Sequence, residues 1–193
     1  HQVTVSSFSL CRYEVTHAQW RAVMGKNPSD FKCNDCPVEN VSWNDVQEFI
    51  KKLNLLTGKD YRLPTEAEWE FAARGGNQSN GYKYAGSNEP GDVAWYTSNS
   101  NSKTHPVGGK KKNELGLYDM SGNVYEWCQD VWHDSYSGAP ENGSAWTSGG
   151  DKVRRVARGG SWYYDPVNCR AAYRSRDDED VRSGNIGFRL ARW

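Results

Sequence analysis

Gly-Leu-Tyr-Asp-Met-Ser-Gly-Asn-Val-Tyr-Glu-Trp, residues 116–127, is the stretch at which the sequence changes from helical to β-type patterning. Before it, apolar residues recur at helical spacing behind residues that cap helices. After it, short β-prone segments follow one another and glycines interrupt them. Helices in the first half and strands in the second half are the order expected of an α+β domain. We therefore predict an α+β fold with many loops.

Three helices are predicted upstream of this stretch. The first follows Thr16 and ends at Gly25, because threonine caps helices and glycine ends them. The second follows Ser42 and ends at Gly58, and its apolar residues have the i, i+3, i+4, i+7 spacing of one helix face. The third is predicted over residues 67–74, after a Thr-x-x-Glu capping box.

The second half of the chain predicts short strands. Their expected positions are residues 123–128, 155–157, 170–174 and 186–190. Residues 77–113 and 131–153 show no sustained period and are expected to be long loops. Loops of this length are uncommon unless they are functional, so we expect the function to lie in loops.

Composition limits the function. The 193 residues suit one domain, which we place at residues 1–193. Lys and Arg number 24, as do Asp and Glu, so the chain lacks the overall charge with which nucleic-acid and anionic-membrane binders attract their partners. No apolar run approaches the roughly 18 residues of a membrane helix, so no transmembrane segment is predicted. The apolar content instead depends on 9 Trp and 11 Tyr.

Six segments of the sequence, in this order, resemble the formylglycine-generating-enzyme family. The segments are residues 13–16, 37–43, 61–70, 116–127, 158–162 and 185–189. The resemblance spans nearly the whole chain. It implies a C-type-lectin-like fold of the formylglycine-generating-enzyme type, with two main helices, a small twisted antiparallel sheet and many loops.

The oxidases of that family resemble one another in a pair of reactive cysteines that follow the Gly-Gly-Ser block, bind copper and oxidise a substrate cysteine. In this chain Tyr164 stands at the first cysteine position and Cys169 at the second. A phenol replaces neither a soft thiolate copper ligand nor an exchanging thiol. The resemblance therefore implies a family member without catalytic residues. An oxidase that acts on a protein cysteine through Cys169 is the alternative.

A cation site is also implied by the resemblance, because family members hold a cation near the Gly-Asn-x-x-Glu-Trp block. The corresponding residues are Gly122, Asn123, Val124 and Glu126. Carbonyl and carboxylate oxygens suit calcium, so a structural calcium is the expected ion, and no other cofactor is expected. A simple ion pair between Glu126 and an arginine is an open alternative.

The histidines and the Cys33–Cys36 pair are weaker candidates for a metal site. The histidines are His1, His17, His105 and His133, and they lie too far apart in sequence to prepare a metal site on one helix face. Cys33 and Cys36 lack a second ligand pair for zinc, so we expect either a disulfide that braces a loop or two thiols.

Residues 158–189 resemble the variable regions of proteins that are diversified by retroelements. Such regions have a constant framework. At their variable positions they carry the amino acids that arise when the adenines of asparagine codons are mutated. The positions of this kind are Tyr163, Tyr164, Asp165, Tyr173, Ser175, Asp177, Asp178, Asp180, Ser183 and Gly184. Tyrosine supplies rigid contact area and Ser and Asp supply adaptable hydrogen bonds, as in antibody paratopes. We predict that these residues form an exposed ligand-binding face.

The function predicted from the sequence is therefore non-catalytic ligand binding by a sequence-diversified, surface-displayed protein. The expected partner is an unknown protein or cell-surface ligand, and the chain is expected to be a monomer. The expected location is extracellular or on the cell surface, and a lipid anchor in a segment outside this sequence is compatible with it. A sugar-binding or structural module is a further alternative, which depends on the lectin-like fold alone.

Overall fold

The computed structural model describes residues 2–193, so His1 lies outside the described residues. It contains, in chain order, the elements β1 (Ser9–Leu10), α1 (His17–Met24), α2 (Trp43–Thr57), α3 (Glu66–Ala73), α4 (Pro90–Val93), β2 (Tyr125–Trp132), β3 (Asp151–Arg158), β4 (Arg174–Asp178), β5 (Ile186–Gly187) and β6 (Ala191–Arg192). The helices precede all strands except β1. The predicted α+β class is confirmed.

The predicted helix boundaries agree with the observed ones because the capping residues form the expected bonds. Thr16 accepts a hydrogen bond from the backbone of Gln19, and Gly25 ends α1 in the left-handed conformation. Ser42 caps α2 in the same way and Gly58 ends it. Each of α1, α2 and α3 begins with a capping box, which satisfies backbone N–H groups that the first helical turn leaves free.

The main sheet has the strand order β4-β3-β2-β5, and β1 pairs with β6 in a separate pair. The β2–β3 and β3–β4 pairs are antiparallel, as predicted. β5 differs, because it runs parallel to β2 at the other edge. The segment between β4 and β5 crosses from one edge of the sheet to the other, so β5 can run in the same direction as β2. A tight hairpin would have made consecutive strands antiparallel.

All four predicted strands differ in extent from the observed ones. β2 begins two residues later than predicted and continues to Trp132, β3 begins earlier, at Asp151, and the other two strands are displaced or shortened. Residues 170–173 form a turn, in which the Tyr173 amide donates to the Arg170 carbonyl, and β4 begins only at Arg174. Of the strand predicted over residues 186–190, only Ile186–Gly187 joins the main sheet. The Phe188 and Leu190 carbonyls accept instead from the N-terminal segment, so this stretch bonds to residues 11–15.

The core is aromatic, as the composition indicates. Its largest cluster joins α1 and α2 to the sheet and includes the fully buried Phe49, Trp127 and Phe188. A second cluster surrounds Trp69 of α3. Aromatic rings bury large areas, which allows a loop-rich chain with few aliphatic residues to form a core.

Buried ion pairs tie the loops to this core. The Arg189 guanidinium donates to both carboxylate oxygens of Glu126 at 2.7 Å, and both side chains are fully buried. Arg158 is also fully buried and binds Glu66 and Glu70 of α3. Charge-assisted bonds of this kind are shorter and stronger than neutral ones.

The Cys33–Cys36 pair forms a disulfide, the first of the two alternatives that the sequence left open. Cys11, Cys128 and Cys169 are free thiols. Over residues 2–193, no helix combines the length and apolar character that crossing a membrane requires.

Candidate functional site

The predicted binding region leaves the sheet at Arg158, the last residue of β3, and crosses the surface before it returns as β4. The crossing begins with Gly160, which has a φ of +77°. A Cβ atom at this position would lie 2.7 Å from the Cys169 sulfur, so only glycine fits. This close approach fixes where the following residues emerge.

Five aromatic rings form a continuous row across this surface. The edge-to-face neighbours are Phe31 and Trp162 at 5.4 Å, Trp162 and Tyr163 at 5.4 Å, Tyr163 and Tyr164 at 5.3 Å, and Tyr164 and Tyr125 at 5.6 Å. We call these residues the aromatic row. Edge-to-face contacts of this kind add about 0.5–1.5 kcal/mol beyond the buried area. The rings therefore hold one another in place.

Tyr163 and Tyr164 are the exposed members of the aromatic row, whereas Phe31 and Trp162 are half-buried. Tyr163 is 60% exposed and Tyr164 is 40% exposed, but Tyr125 is buried. The Trp162 indole N–H donates to the Gly184 carbonyl at 2.8 Å, and the Trp162 amide donates to the Asn123 carbonyl. The tyrosines thus stand on a rigid base and offer contact area to solvent.

β4 divides its residues between two faces, as strand geometry requires. Ser175 is half-buried and lies close to the Tyr125 side chain, which places it beside the aromatic row. Asp178 turns to the opposite face, where it accepts from Arg154 at 3.3 Å. Asp177 is half-buried and, as the residue before Asp178 in the strand, points to the face opposite to that of Asp178. Burial raises the pKa of Asp177.

The remaining predicted residues lie around this surface. Asp165 is exposed, and the half-buried Tyr173 packs against the main core cluster. Asp180 accepts from Asn44 of α2 at 2.7 Å. Ser183 and Gly184 are half-buried, and the Ser183 carbonyl accepts from Asn40.

The structure therefore brings part of the predicted set together and separates other members from it. Tyr163 and Tyr164 belong to the aromatic row, the Gly184 carbonyl accepts from Trp162, and Ser175 lies close to Tyr125. Asp178 faces away from the row. A role in ligand binding stays a prediction for the whole set.

Sequence reasoning missed Phe31 and Tyr125 as members of the aromatic row. Phe31 lies in the loop before the disulfide, and Tyr125 opens β2. Both are far in sequence from Tyr163, and their proximity arises only in the folded chain. No local signal in the sequence marks them.

Cys169 sits beneath this surface and not on it. Its side chain is fully buried, and desolvation raises the pKa of its thiol to about 12. A thiol of this kind is protonated at neutral pH, whereas a copper ligand or nucleophile must be a thiolate. Tyr164, at the position of the first cysteine, is at the surface.

The residues expected to hold calcium have their side-chain oxygens committed to other bonds. Glu126 accepts from Arg189 and from the Trp69 indole, both at 2.7 Å. The Asn123 side-chain oxygen accepts from the His105 amide at 3.0 Å. Calcium takes six to eight oxygen ligands, and these side chains, as arranged, do not fit it.

A simple pairing of Glu126 with an arginine is thus present, and calcium binding at Gly122, Asn123, Val124 and Glu126 stays a prediction. Within residues 2–193, no group of three or more His, Cys, Asp or Glu side chains has an arrangement that could hold a metal ion.

An acidic group lies next to this position. Glu14 is buried, and desolvation together with Asp119 and Glu126 raises its pKa well above the usual value. Desolvation also raises the pKa of Asp119 to about 6. Arg189 opposes these shifts by lowering the pKa of both groups, so one buried arginine stabilises the whole cluster.

Comparison with known proteins gives a consistent picture. The family model for the sulfatase-modifying factor enzyme 1-like domain matches residues 1–193. The chain is 38% identical to the chaperone protein LppX of Paenibacillus barcinonensis, over 98% of this chain and 81% of that protein. It is 35% identical to the formylglycine-generating enzyme of Streptomyces coelicolor, over 92% of this chain.

The chain spans only 59% of the length of that Streptomyces enzyme. Among solved structures, Treponema denticola variable protein 1 superimposes with a TM-score of 0.89 and 34% identity. That superposition covers 98% of this chain and 86% of the variable protein.

Proposed function

The chain belongs to the sulfatase-modifying factor enzyme 1-like family, and we propose that it uses this fold to bind a ligand without catalysis, through the exposed surface of residues 158–189. The observation that carries the proposal is the aromatic row, whose exposed members Tyr163 and Tyr164 project from a rigid base. Exposed, preorganised tyrosines supply contact area at a low cost in conformational entropy, which is the property of a binding surface.

The absence of a thiol at position 164 and the burial of Cys169 support a non-catalytic role. Oxidation of a substrate cysteine by a copper–thiolate site needs accessible thiolates, but the Cys169 thiol is buried with a pKa of about 12. The exposed Tyr164 contributes a phenol instead, which is a poor ligand for a soft metal ion.

The relatives support binding as well. One is named a chaperone protein and another a variable protein, and they are 38% and 34% identical to this chain. Chaperones act by binding other molecules, and a variable surface on a constant fold suits changing ligands. The expected ligand is a protein or another molecule on a cell surface.

An extracellular or cell-surface location is part of the proposal. The Cys33–Cys36 disulfide fits an oxidising compartment, because disulfides persist outside the cytosol and are rare within it. A monomer attached through a lipid anchor would present residues 158–189 to its partners.

An array of purified extracellular proteins tests this proposal. The parent chain and a Tyr163→Ser, Tyr164→Ser double variant are compared on the same array, with a Lys51→Ser, Lys52→Ser variant of α2 as the control. We expect to find ligands that bind the parent and the control but not the double variant. The double variant loses three edge-to-face contacts, so its melting temperature should fall by several degrees and still stay above the assay temperature. Ligands that bind all three chains equally would show that another surface is used.

The oxidase alternative is favoured by one observation, the 35% identity to the Streptomyces enzyme. Its test is incubation of the chain with copper(I) and a cysteine-containing peptide, followed by mass spectrometry of the peptide. We expect no oxidation of the peptide cysteine beyond that produced by copper alone. Oxidation that disappears in a Cys169→Ser variant would instead establish an enzyme.

A further inference from the structure

A buried carboxylate beside the aromatic row has no partner for one of its oxygens. The Glu39 side chain is fully buried, and its Oε1 atom accepts from the Phe31 amide at 3.2 Å. Its Oε2 atom is buried without a hydrogen-bond partner. Leaving a buried charged acceptor unsatisfied is costly, so such an atom calls for a donor.

The unpartnered oxygen borders a small space over Gly184. A Cβ atom placed on Gly184 would lie 3.7 Å from Oε2 of Glu39 and 3.5 Å from Oδ2 of Asp30. Because Gly184 has no side chain, two carboxylate oxygens face the same space. Asp30 is exposed, Gly184 is half-buried and Oε2 of Glu39 is buried, so the space extends from the surface at Asp30 inward to Glu39.

The aromatic row flanks this space. The Phe31 amide binds Glu39, the Trp162 indole binds the Gly184 carbonyl, and the two rings meet edge to face. The space is therefore continuous with the predicted binding surface, since Trp162 also contacts the exposed Tyr163.

We propose that Glu39, Asp30 and Gly184 form a subsite for a primary ammonium group, namely the side chain of a lysine on the bound partner. This inference rests on the proposed function and adds the chemistry of one partner group. The ammonium would donate to Oε2 of Glu39 and to Oδ2 of Asp30 at about 2.8 Å, the usual length of a charge-assisted bond.

The surroundings favour an ammonium over a metal ion. Calcium needs six to eight oxygen ligands, but the nearby carbonyls are already used: that of Ser183 accepts from Asn40 and that of Gly184 accepts from Trp162. An ammonium has only three donors and tolerates aromatic neighbours.

The charge state of Glu39 makes the binding pH-dependent. Desolvation raises the pKa of Glu39 to about 7, and Asp30 raises it further, while backbone amides lower it. His17 of α1 faces Glu39 at 4.0 Å, and desolvation, with Lys32 and Arg21, lowers the pKa of His17. Above pH 7 the subsite therefore contains an ionised Glu39 beside a neutral imidazole.

The test uses N-acetyl-lysine methylamide as the probe and N-acetyl-norleucine methylamide as its uncharged match. Binding is followed by the NMR shifts of the Gly184 amide and the Trp162 indole N–H. We expect saturable shifts with the lysine compound alone, and an affinity that rises about tenfold from pH 6 to pH 8 as a group of pKa about 7 ionises.

Two substitutions test the geometry. Glu39→Gln removes the charge and keeps the shape, and Gly184→Ala places a methyl group in the space at ordinary contact distances. Each is expected to weaken binding at least tenfold. Gly91→Ala, whose methyl would contact nothing within 4 Å, and Glu48→Gln on the exposed side of α2 are the matched controls and should bind normally.

Equal shifts with the norleucine compound, or normal binding by folded Glu39→Gln and Gly184→Ala chains, would overturn the subsite. Circular dichroism melting curves establish that each variant is folded. Should Glu39→Gln not fold, the Gly184→Ala chain decides. Because the probe is a small molecule, this result is independent of the protein array. The lysine compound can fail to bind while the array still identifies a protein ligand, and the lysine compound can bind while the array identifies none.

Discussion

Replacing Phe188 by alanine separates the role of the core from that of the surface. The Phe188 ring is fully buried and contacts Phe49 at 5.4 Å and Trp20 at 6.1 Å, both edge to face. Its carbonyl also accepts from the Val15 amide, which ties the backbone here to the N-terminal segment. The surrounding helices and sheet have little freedom to close over a cavity.

The expected cost follows from this burial. Truncating a fully buried phenylalanine usually costs about 3–5 kcal/mol, because the transfer energy of the ring is lost and a cavity remains. For a chain of this size, each kcal/mol lowers the melting temperature by roughly 2–4 °C. Phe188→Ala should therefore lower it by on the order of 10 °C.

The matched comparison is Tyr163→Ser, in the same region of sequence. Tyr163 is 60% exposed, and changes at exposed positions usually alter stability by no more than about 0.5 kcal/mol. Its edge-to-face contacts with Trp162 and Tyr164 add a modest further loss. Because the ring is so exposed, these contacts should contribute near the lower end of their range, and we expect the melting temperature to fall by about 2–6 °C, less than in Phe188→Ala.

Urea unfolding followed by tryptophan fluorescence, together with calorimetry, measures both variants. The reasoning is refuted if Tyr163→Ser destabilises the chain as much as Phe188→Ala does. A Phe188→Ala chain that melts within 2 °C of the parent would be equally damaging, because it would mean that the site collapses without a cavity.

Three further outcomes are expected. Arg189→Met should cost about 3–5 kcal/mol in urea unfolding, because it leaves Glu126 as an uncompensated buried charge, whereas Arg189→Met with Glu126→Leu should recover much of the loss; equal stability of both variants would contradict this. The raised pKa of Glu39 favours its neutral form in the folded chain, so the stability that this group contributes is present below its usual pKa of 4.5 and is lost as the pH rises through about 7. In Glu39→Gln, the free energy of unfolding should therefore decline less between pH 5 and pH 8 than it does in the parent. An unchanged decline would exclude Glu39 as its source. Cys169 should react with iodoacetamide only after unfolding, because its thiol is buried with a pKa of about 12, and rapid labelling of the native chain at pH 8 would show otherwise.

The boundaries of α1, α2 and α3 were predictable to within a residue because their signals are local, whereas α4 lies within residues 77–113, which were expected to be a loop. Thr16, Ser42 and Thr65 each accept a bond from a backbone amide three residues later, and Gly25 and Gly58 adopt the left-handed conformation that ends a helix. Such interactions involve neighbours in sequence, and a single chain displays them. The α+β class followed from the same patterns.

The strands were less predictable because their partners are distant. Residues 170–173 were predicted to begin a strand, but the Arg158 guanidinium, which is distant in sequence, binds the Ala171 carbonyl, and the backbone turns there. The direction of β5 likewise depends on which edge of the sheet is open.

By itself, the sequence determined the boundaries of α1, α2 and α3, the family resemblance, the replacement of a thiol by Tyr164, and the tyrosine content of residues 158–189. Only the tertiary structure decided which of these residues meet. It placed Phe31 and Tyr125 at the ends of the aromatic row, turned Asp178 to the opposite face of β4, and set Glu39 beside Gly184. The physical reason is that caps and periodicities act over a few residues along the chain, whereas a surface is made of segments that are distant in sequence and come together only when the core beneath them packs.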